Sequence, residues 1–202
     1  MTAPLLELRS ASDPFAGRLR ERIRAGERLV GTFCNLGSAV SARICARAGF
    51  DWLLVDLEHG SRSEGELVAH LQAVAAAGGG ASALVRVESH ERSRFGNALD
   101  DGAAGVMAPR VESAEQARLV VTQIESPAAV ATAGEIAAVG GADVVFVGPS
   151  DLSHALGCFG HLDDSGTLEE GFSFVGISGD GGFLTKAAVA GASQLRDALA
   201  RA

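Results

Sequence analysis

The pattern of hydrophobic and polar positions alternates between two periods along most of the chain. Short, continuous apolar runs such as 51–59 (DWLLVDLEH) are typical of buried strands. Segments with apolar positions at helical spacing, such as 15–27 (FAGRLRERIRAGE), lie between them. The pattern predicts seven strands, at 31–36, 51–59, 82–87, 104–111, 122–126, 142–153 (with its exit loop) and 172–178. It predicts helices at 15–27, 40–49, 63–78, 90–102, 113–121, 129–141 and 180–201.

This strict alternation of strand and helix indicates βα units on a parallel sheet. The number of units approaches eight, which favours an α/β fold of the (β/α)8 or TIM barrel type over an open doubly wound sheet. No GxGxxG follows the first strand and GxxxxGK[ST] is absent, so a dinucleotide or phosphate-loop site has no support. We expect a single barrel domain over 1–202, with 1–14 as a flexible N-terminal extension.

The chain is short for an eight-unit barrel, and the shortage falls at two junctions. Such barrels typically need about 250 residues, whereas this chain has 202. Segments are apparently missing near 121–122 and 163–171, where predicted elements run together almost without a loop. A barrel that lacks a strand would have open edges. Either the chain is truncated at these junctions, or the protein carries segments there that this sequence lacks.

Composition narrows the classes of partner. A net charge of −8 and a pI near 5.1 argue against a nucleic-acid partner. No apolar run reaches membrane-spanning length. Cys34, Cys45 and Cys158 show no CxxC spacing, which is typical of reduced packing residues in a cytoplasmic protein. The single lysine, Lys186, lies in the last predicted helix, so we reject a Schiff-base mechanism that needs a lysine at a strand end.

Ionisable and polar side chains follow the carboxyl ends of four predicted strands. Barrel enzymes build their active sites at this end of the sheet. Any one strand-end acid can be a simple loop cap, but the convergence of several predicts an active site. The residues are Asp56, Glu58, His59, Arg86, Gln123, Glu125 and Asp151.

The residue types at these strand ends indicate a class of chemistry. Glu125 and Asp151 are hard oxygen ligands suited to Mg²⁺ or Mn²⁺, and no Cys/His set has zinc-ligand spacing. Arg86 is suited to hold a carboxylate or polarise a carbonyl. His59 is the natural proton shuttle near neutral pH. Together they suit proton abstraction or carbon–carbon cleavage beside a carbonyl, with a metal stabilising an enolate.

Six segments in chain order carry a family resemblance: GTFCNLGS, GFDWLLVDLEHG, LVRV, LDDGAAGVMAPRVESAEQAR, QIES and GADVVFVGPSDLSHALG. They resemble the HpcH/HpaI aldolase family of metal-dependent class II pyruvate aldolases, which includes 4-hydroxy-2-oxoheptanedioate and 2-keto-3-deoxy sugar-acid aldolases. The resemblance covers nearly the whole chain from about Leu19, and DxEHG with QIE and GPxDLS is a specific combination. It implies a barrel of the pyruvate/phosphoenolpyruvate type and reversible cleavage of 4-hydroxy-2-oxoacids to pyruvate and an aldehyde.

The resemblance also implies a role for each group at the reacting centre. Glu125 and Asp151 are implied as ligands of a divalent metal, Mg²⁺, Mn²⁺ or Co²⁺. Arg86 is implied to bind the pyruvate carbonyl and steady the enolate. His59 is implied as the base, acting through a water, with Glu58 behind these groups.

Further roles and an assembly follow from the same resemblance. Asp56 and Asp100 are implied as acidic supports of the base, one of them reaching in from a neighbouring subunit. Gln123, Asp151 and the backbone around Ser150 are implied to line the pyruvate pocket. The implied assembly is a homo-oligomer, a hexamer or trimer of dimers.

Two departures from the family pattern fall at the two short junctions. A long segment with Pro-x-Gly-x-Arg-Gly before QIE and a strand with Gly-Lys-x-x-Gly after GHLDD are both absent. Two alternatives stay open, the first because the same enolate chemistry serves other reactions and the second because of the missing segments. One is an oxaloacetate decarboxylase or another 2-oxoacid lyase on the same site; no segment suggests coenzyme A. The other is a catalytically impaired, truncated relative.

Overall fold

A computed structural model describes residues 16–60, 64–114, 121–157 and 172–200. The strands are β1 (Leu29–Cys34), β2 (Trp52–Asp56), β3 (Ser82–Arg86), β4 (Gly105–Ala108), β5 (Val121–Ile124), β6 (Val144–Val147) and β7 (Phe174–Gly179). The helices are α1 (Ala16–Arg24), α2 (Ala39–Ala46), α3 (Leu67–Ala75, after a 3-10 turn at Glu64–Glu66), α4 (Arg92–Asp100), α5 (Pro127–Ala131), α6 (Ala133–Ala137), α7 (Pro149–Ala155) and α8 (Asp180–Ala200).

The seven strands form one parallel sheet in the order β6-β5-β4-β3-β2-β1-β7. Six neighbouring strand pairs are hydrogen-bonded, so the sheet is a nearly closed barrel whose two edges are β6 and β7. This confirms the predicted barrel and its seven strands. Within the described residues β6 and β7 each pair on one side only, and these two edges lie on either side of the second short junction.

The core has two parts, separated by the sheet. Side chains alternate between the two faces of a strand, so β2 sends Trp52 and Leu54 into the barrel and Leu53 and Val55 towards the helices. Every residue of β2 and β3 is buried, which explains their continuous apolar sequences. The barrel interior is filled by an aromatic cluster of Trp52, Phe33, Phe146 and Phe174.

Between β5 and β6 the single predicted helix, 129–141, is wrong in its boundaries and continuity. The chain forms two short helices, α5 and α6, interrupted at Thr132. The first begins earlier than predicted because Ser126 caps it: its Oγ accepts a hydrogen bond from the Ala129 backbone N–H at 3.1 Å. Pro127 at the first helical position reinforces this start, since its φ suits a helix and its missing N–H costs nothing there.

The predicted exit loop after β6 is also wrong. The strand ends at Val147, and residues Pro149–Ala155 form helix α7. Pro149 again occupies a first-turn position that favours helix initiation. Asp151 consequently lies in the first turn of a helix, at the carboxyl end of β6.

Some predictions fall on residues that the structure does not describe. The predicted helix 113–121 lies mostly within 115–120, outside the described residues, and its last residue, Val121, begins β5 instead. The predicted extension 1–14 and the junction 163–171 also lie outside them. None of the described helices has the length and apolar character needed to cross a membrane.

Candidate active site

Adjacent strands place Asp56 and Arg86 side by side at the carboxyl end of the sheet. The two residues are register partners at the ends of β2 and β3. Arg86 Nε donates to Asp56 Oδ1 at 2.9 Å, and Arg86 NH2 donates to Asp56 Oδ2 at 2.6 Å. Both side chains are buried, so this is a two-point, charge-assisted pair in the interior.

Burial and ion pairing shift the pKa values of Asp56 and Arg86 in opposite directions. Burial works to raise the pKa of Asp56, but the hydrogen bonds and charge of Arg86 outweigh it and lower that pKa. Burial likewise works to lower the pKa of Arg86, and Asp56 overcomes it, so the pKa of the guanidinium is raised. Both groups therefore stay charged across the neutral range.

Asp56 also shapes the loop that carries the DxEHG motif. Its Oδ1 accepts backbone hydrogen bonds from Glu58 at 3.1 Å and from His59 at 3.2 Å. This carboxylate-to-backbone turn brings the chain round sharply after β2. Gly60 follows because a Cβ there would lie 2.2 Å from the Asp56 carbonyl oxygen. The motif thus encodes a specific turn as well as its ionisable groups.

His59 stands beside the buried arginine, and its side chain is 56% exposed. Its Nδ1 lies 3.1 Å from Arg86 NH2. Because a guanidinium can only donate, Nδ1 is the acceptor, and a neutral ring carries its proton on Nε2. The carboxylate nearest the ring belongs to Glu58, 3.9 Å from Nδ1. Asp56 reaches His59 through the backbone N–H and through Arg86.

Gln123 links the arginine to the first of the predicted metal ligands. Arg86 NH1 donates to Gln123 Oε1 at 3.3 Å, and Gln123 Nε2 donates to Glu125 Oε2 at 2.7 Å. The arginine and the carboxylate together fix which end of the amide faces which neighbour. The connected side chains Asp56, Arg86, Gln123 and Glu125 thus run across three strand ends, β2, β3 and β5.

Glu125 and Asp151 line the same cavity, close enough for the charge of Asp151 to act on Glu125. Burial, and then the negative charges of Asp151 and Glu58, raise the pKa of Glu125 to about 7. Two hard carboxylates facing each other in this way fit a divalent cation, which would relieve their repulsion. Among the described residues no group of three or more His, Cys, Asp or Glu side chains is arranged to hold a metal. The fit therefore rests on this pair.

Gly148 leaves room for the carboxylate. A Cβ at Gly148 would lie 2.7 Å from Gln123 Nε2 and 3.0 Å from Glu125 Oε2. The φ of Gly148 is −87°, which any residue adopts, so the requirement is for space. Sequence reasoning did not single out this glycine of the GPS segment.

A cavity of about 370 Å³ opens beside these carboxylates. Of the predicted site residues, His59, Glu125 and Asp151 line it, together with Glu58. Arg86 and Gln123 are buried behind this wall. Ser150 is exposed in α7, and its backbone carbonyl accepts a hydrogen bond from Ser153 Oγ at 2.8 Å. The full lining is Glu58, His59, Arg110, Val111, Glu112, Glu125, Ser126 and Asp151.

Asp100 is the one predicted catalytic residue that the structure does not bring to this cluster. It is the last residue of α4 and is exposed. A helix that follows a strand in a βα unit runs back towards the amino end of the sheet. Asp100 therefore lies at the end of the barrel opposite to His59, and a role at the site would have to be exercised in another subunit.

Arg110 is a cavity-lining residue that sequence reasoning missed. It follows β4 by two residues, so the strand-end rule that identified Arg86 would also have identified it. Its Nε lies 3.5 Å from Glu58 Oε1, and Arg86 NH1 lies 3.4 Å from Glu58 Oε2. Glu58, which is only 9% exposed, is thus shared by two arginines and has a more central position than predicted.

The model of the HpcH/HpaI aldolase/citrate lyase family matches the chain over residues 29–123 and 118–178. The chain belongs to this family. The two matched stretches meet at the first short junction, near 121–122. Family membership confirms the resemblance predicted from the sequence motifs.

Curated relatives carry aldolase names. A hydroxypyruvate/pyruvate aldolase of Paraburkholderia phytofirmans is 31% identical over 230 aligned positions, which cover 91% of this chain and 88% of the relative. A 2-keto-3-deoxy-L-rhamnonate aldolase of Escherichia coli is 32% identical and covers 72% of this chain and 67% of the relative. The chain is accordingly an aldolase-type carbon–carbon lyase, and its family is generally dependent on a divalent metal.

Solved structures confirm the fold. A HpcH/HpaI aldolase/citrate lyase family protein from Burkholderia cenocepacia superposes with a TM-score of 0.81 at 26% identity, covering 89% of this chain and 99% of that one. A 2,3-dimethylmalate lyase of the PEP mutase/isocitrate lyase superfamily has a TM-score of 0.60 at 14% identity, covering 91% and 87%. The second likeness shows the shared barrel alone.

Proposed function

We propose that the chain is a divalent-metal-dependent aldolase that cleaves 4-hydroxy-2-oxoacids reversibly to pyruvate and an aldehyde. The observation that carries this proposal is the cavity wall itself. It presents the facing carboxylates of Glu125 and Asp151 and the imidazole of His59 to one space. Metal ligands and a proton acceptor on one cavity are what enolate chemistry requires.

Glu125 and Asp151 would hold the metal, with Mg²⁺, Mn²⁺ and Co²⁺ as the candidates. When bound, the cation supplies positive charge that stabilises the enolate form of pyruvate. Gln123 fixes Glu125 through the 2.7 Å hydrogen bond to its Oε2, and Gly148 leaves the space that this arrangement needs.

Arg86 and His59 would divide the remaining work. In the cleavage direction the exposed His59 imidazole takes the proton of the C4 hydroxyl through a water. The C3–C4 bond breaks, the aldehyde leaves, and the bonding electrons remain on the pyruvate half as the enolate, whose C3 then takes up a proton to give pyruvate. Arg86, held by Asp56 on one edge, steadies the developing negative charge near the Gln123 side.

We also propose a homo-oligomer, a hexamer or trimer of dimers, in which α8 packs against another copy of the chain. This helix exposes Leu184, Val189, Leu195 and Leu199, each by 63–77% of its side chain. Asp100 would then act in the site of a neighbouring copy. Mixing inactive Asp100→Ala and His59→Ala proteins should restore partial activity if sites are shared between copies, and light scattering gives the assembly size.

The partners expected are a small-molecule 2-oxoacid (pyruvate) and an aldehyde. The cytoplasmic location stays a prediction, with which the reduced thiols of Cys34 and Cys45 are consistent.

The test is pyruvate release from a 4-hydroxy-2-oxoacid, measured with and without a chelator. Cleavage should need the metal and fall strongly in His59→Ala and Arg86→Ala. Cleavage that is unaffected by the chelator, or full activity in both variants, would overturn the proposal. Turnover of oxaloacetate alone would favour a decarboxylase, and metal binding without any turnover would favour a catalytically impaired relative.

A further inference from the structure

Arg110 has a strained backbone at the edge of the cavity. Its φ is 52°, in the left-handed region that side-chain-bearing residues rarely occupy. Sheet bonding is broken around it: Ala108 pairs with Thr122, and bonding resumes only where the Val111 N–H donates to the Gln123 carbonyl at 2.9 Å. Strain of this kind collects at ligand-binding positions. Here its effect is to put the Arg110 side chain on the cavity wall.

The guanidinium is anchored yet accessible. Arg110 NH2 donates to the Glu88 carbonyl at 3.0 Å, and His90 Nε2 donates to the Pro109 carbonyl at 2.6 Å, which holds the preceding residue. The Glu58 carboxylate approaches Arg110 Nε only to 3.5 Å. The side chain remains 62% exposed. These contacts use only part of its five N–H donors.

The side of the cavity formed by Arg110 carries positive charge. Among the described lining residues Arg110 is the one permanent cation. The proposed metal would neutralise Glu125 and Asp151, and Glu58 is shared with a second arginine, which leaves the exposed Glu112 as the other carboxylate on the lining. An anionic group that extends away from the metal ligands therefore finds positive charge at Arg110.

We propose that Arg110 is a specificity-determining residue that binds an oxyanion, most simply a carboxylate, at the end of the substrate remote from its 2-oxoacid half. The inference rests on the proposed function, which places the 2-oxoacid half at Glu125 and Asp151. The substrates would be 4-hydroxy-2-oxoacids with a second acidic group, and the released aldehyde would carry that group. A guanidinium is suited to this role because its planar fork matches a carboxylate at two points.

Binding separates this inference from the proposed function, because it needs no turnover. The full chain with Mn²⁺ is titrated by calorimetry with 2-oxodicarboxylates of five, six and seven carbons, and with the 2-oxomonocarboxylates of the same lengths. We expect at least one dicarboxylate to bind about tenfold more tightly than its monocarboxylate partner. That ratio should fall to near one in Arg110→Gln and be partly kept in Arg110→Lys.

Two further variants control the experiment. Arg94→Gln removes the same charge from a residue that meets Glu88 at 3.1 Å but does not line the cavity, and it should leave the ratio unchanged. Arg110→Asn serves if the glutamine variant fails to fold, since asparagine tolerates the left-handed backbone. An unchanged ratio in the Arg110 variants, or no dicarboxylate preference in the parent protein, overturns the inference. If neither ligand class binds with Mn²⁺ present, the proposed function fails and the inference falls with it.

Discussion

Arg86 and Asp56 form a buried, two-point ion pair across the boundary between β2 and β3, and this pair sets the orientation of the site. Asp56 occupies Nε and NH2 of the guanidinium at 2.9 Å and 2.6 Å. NH1 is thereby directed towards Gln123 at 3.3 Å and Glu58 at 3.4 Å. Asp56 thus sets which edge of Arg86 faces Gln123 and, beyond it, the proposed metal ligand Glu125.

Removing either partner of the Asp56–Arg86 pair should lower the stability of the protein. Asp56→Ala leaves a buried guanidinium without its counter-charge, and we expect the free energy of unfolding to fall by about 3–5 kcal/mol. Urea denaturation measures this loss. Pyruvate release should fall with it, because NH1 of Arg86 loses its fixed direction. The double replacement Asp56→Leu with Arg86→Met should recover part of the stability, since no charge then stays buried.

A surface pair provides the control. Arg22 and Glu27 meet at 2.7 Å with side chains 36% and 47% exposed. Glu27→Ala should cost less than about 1 kcal/mol. Equal losses in Asp56→Ala and Glu27→Ala would contradict the weight given to the buried pair.

The metal-free protein should lose stability at alkaline pH through Glu125. The pKa of Glu125 is raised from an ordinary 4.5 to about 7, first by burial and then by Asp151. The folded protein thus binds this proton more tightly than the unfolded chain does. Protonation of Glu125 therefore stabilises the fold fully below pH 4.5, and this contribution is lost as the pH rises through 7. Because Glu125 is partly exposed and solvent screens its charge, we expect a loss of about 1 kcal/mol. Urea denaturation with chelator, from pH 4.5 to 8.5, measures it.

Glu125→Gln is the matched comparison for this titration. The variant cannot ionise, so its stability should exceed that of the parent at pH 8.5 while its metal affinity is lost. Adding Mn²⁺ at pH 8.5 should stabilise the parent and leave the variant unchanged. Parallel stability curves for the two proteins over this pH range would show that Glu125 does not titrate as described.

Much of the fold could be predicted, because buried parallel strands have a direct signature. All five residues of β2 and of β3 are buried, and the apolar runs Trp52–Val55 and Ala83–Val85 within them are unbroken. The errors fall where local capping competes with periodicity. Ser126 and Pro127 start α5 early, and Pro149 starts a helix where an exit loop was predicted. Such short helices bury too little surface to show a helical pattern of apolar positions.

The site could be predicted as a set of residues, but its internal pairing could not. The strand-end rule identified Asp56, His59 and Arg86 together. It did not show that the Asp56 carboxylate binds Arg86 instead of the His59 ring. This pairing depends on the register of β2 against β3, which places Asp56 beside Arg86. Arg110 follows β4 by two residues and so meets the same rule, but the left-handed φ that puts its side chain on the cavity wall does not appear in the sequence pattern. Neither register nor φ can be read from the order of residues.

Filling the space at Gly148 should impair the proposed metal site while leaving the fold intact. The Cβ of Gly148→Ala would lie 2.7 Å from Gln123 Nε2 and 3.0 Å from Glu125 Oε2, so both side chains must move. These atoms lie at the far ends of flexible chains, so the protein can adapt. We expect metal affinity to fall about tenfold or more, as for other displaced metal-site partners, with a small change in melting temperature. Calorimetric titration with Mn²⁺ measures the affinity.

Gly134→Ala is the control for this substitution. Gly134 lies in α6, and a Cβ there would meet nothing within 4 Å. Its metal affinity should equal that of the parent. Equal affinities in Gly148→Ala and the parent would show that Glu125 does not depend on the space at Gly148.

Filling the space at Gly31 should instead disrupt the barrel interior. A Cβ at Gly31 would lie 2.0 Å from Trp52 Cδ2, and the indole cannot withdraw because Phe174 stacks on it at 4.5 Å. We expect Gly31→Ala to lower the free energy of unfolding by about 2–3 kcal/mol or more, the cost of an overpacked core. The single tryptophan reports the transition by fluorescence in urea. Gly191→Ala, where a Cβ meets nothing within 4 Å in α8, should be neutral or stabilising. If both variants unfold at the same urea concentration as the parent, the interior around Trp52 has room for a methyl group at Gly31, and the predicted overpacking is wrong.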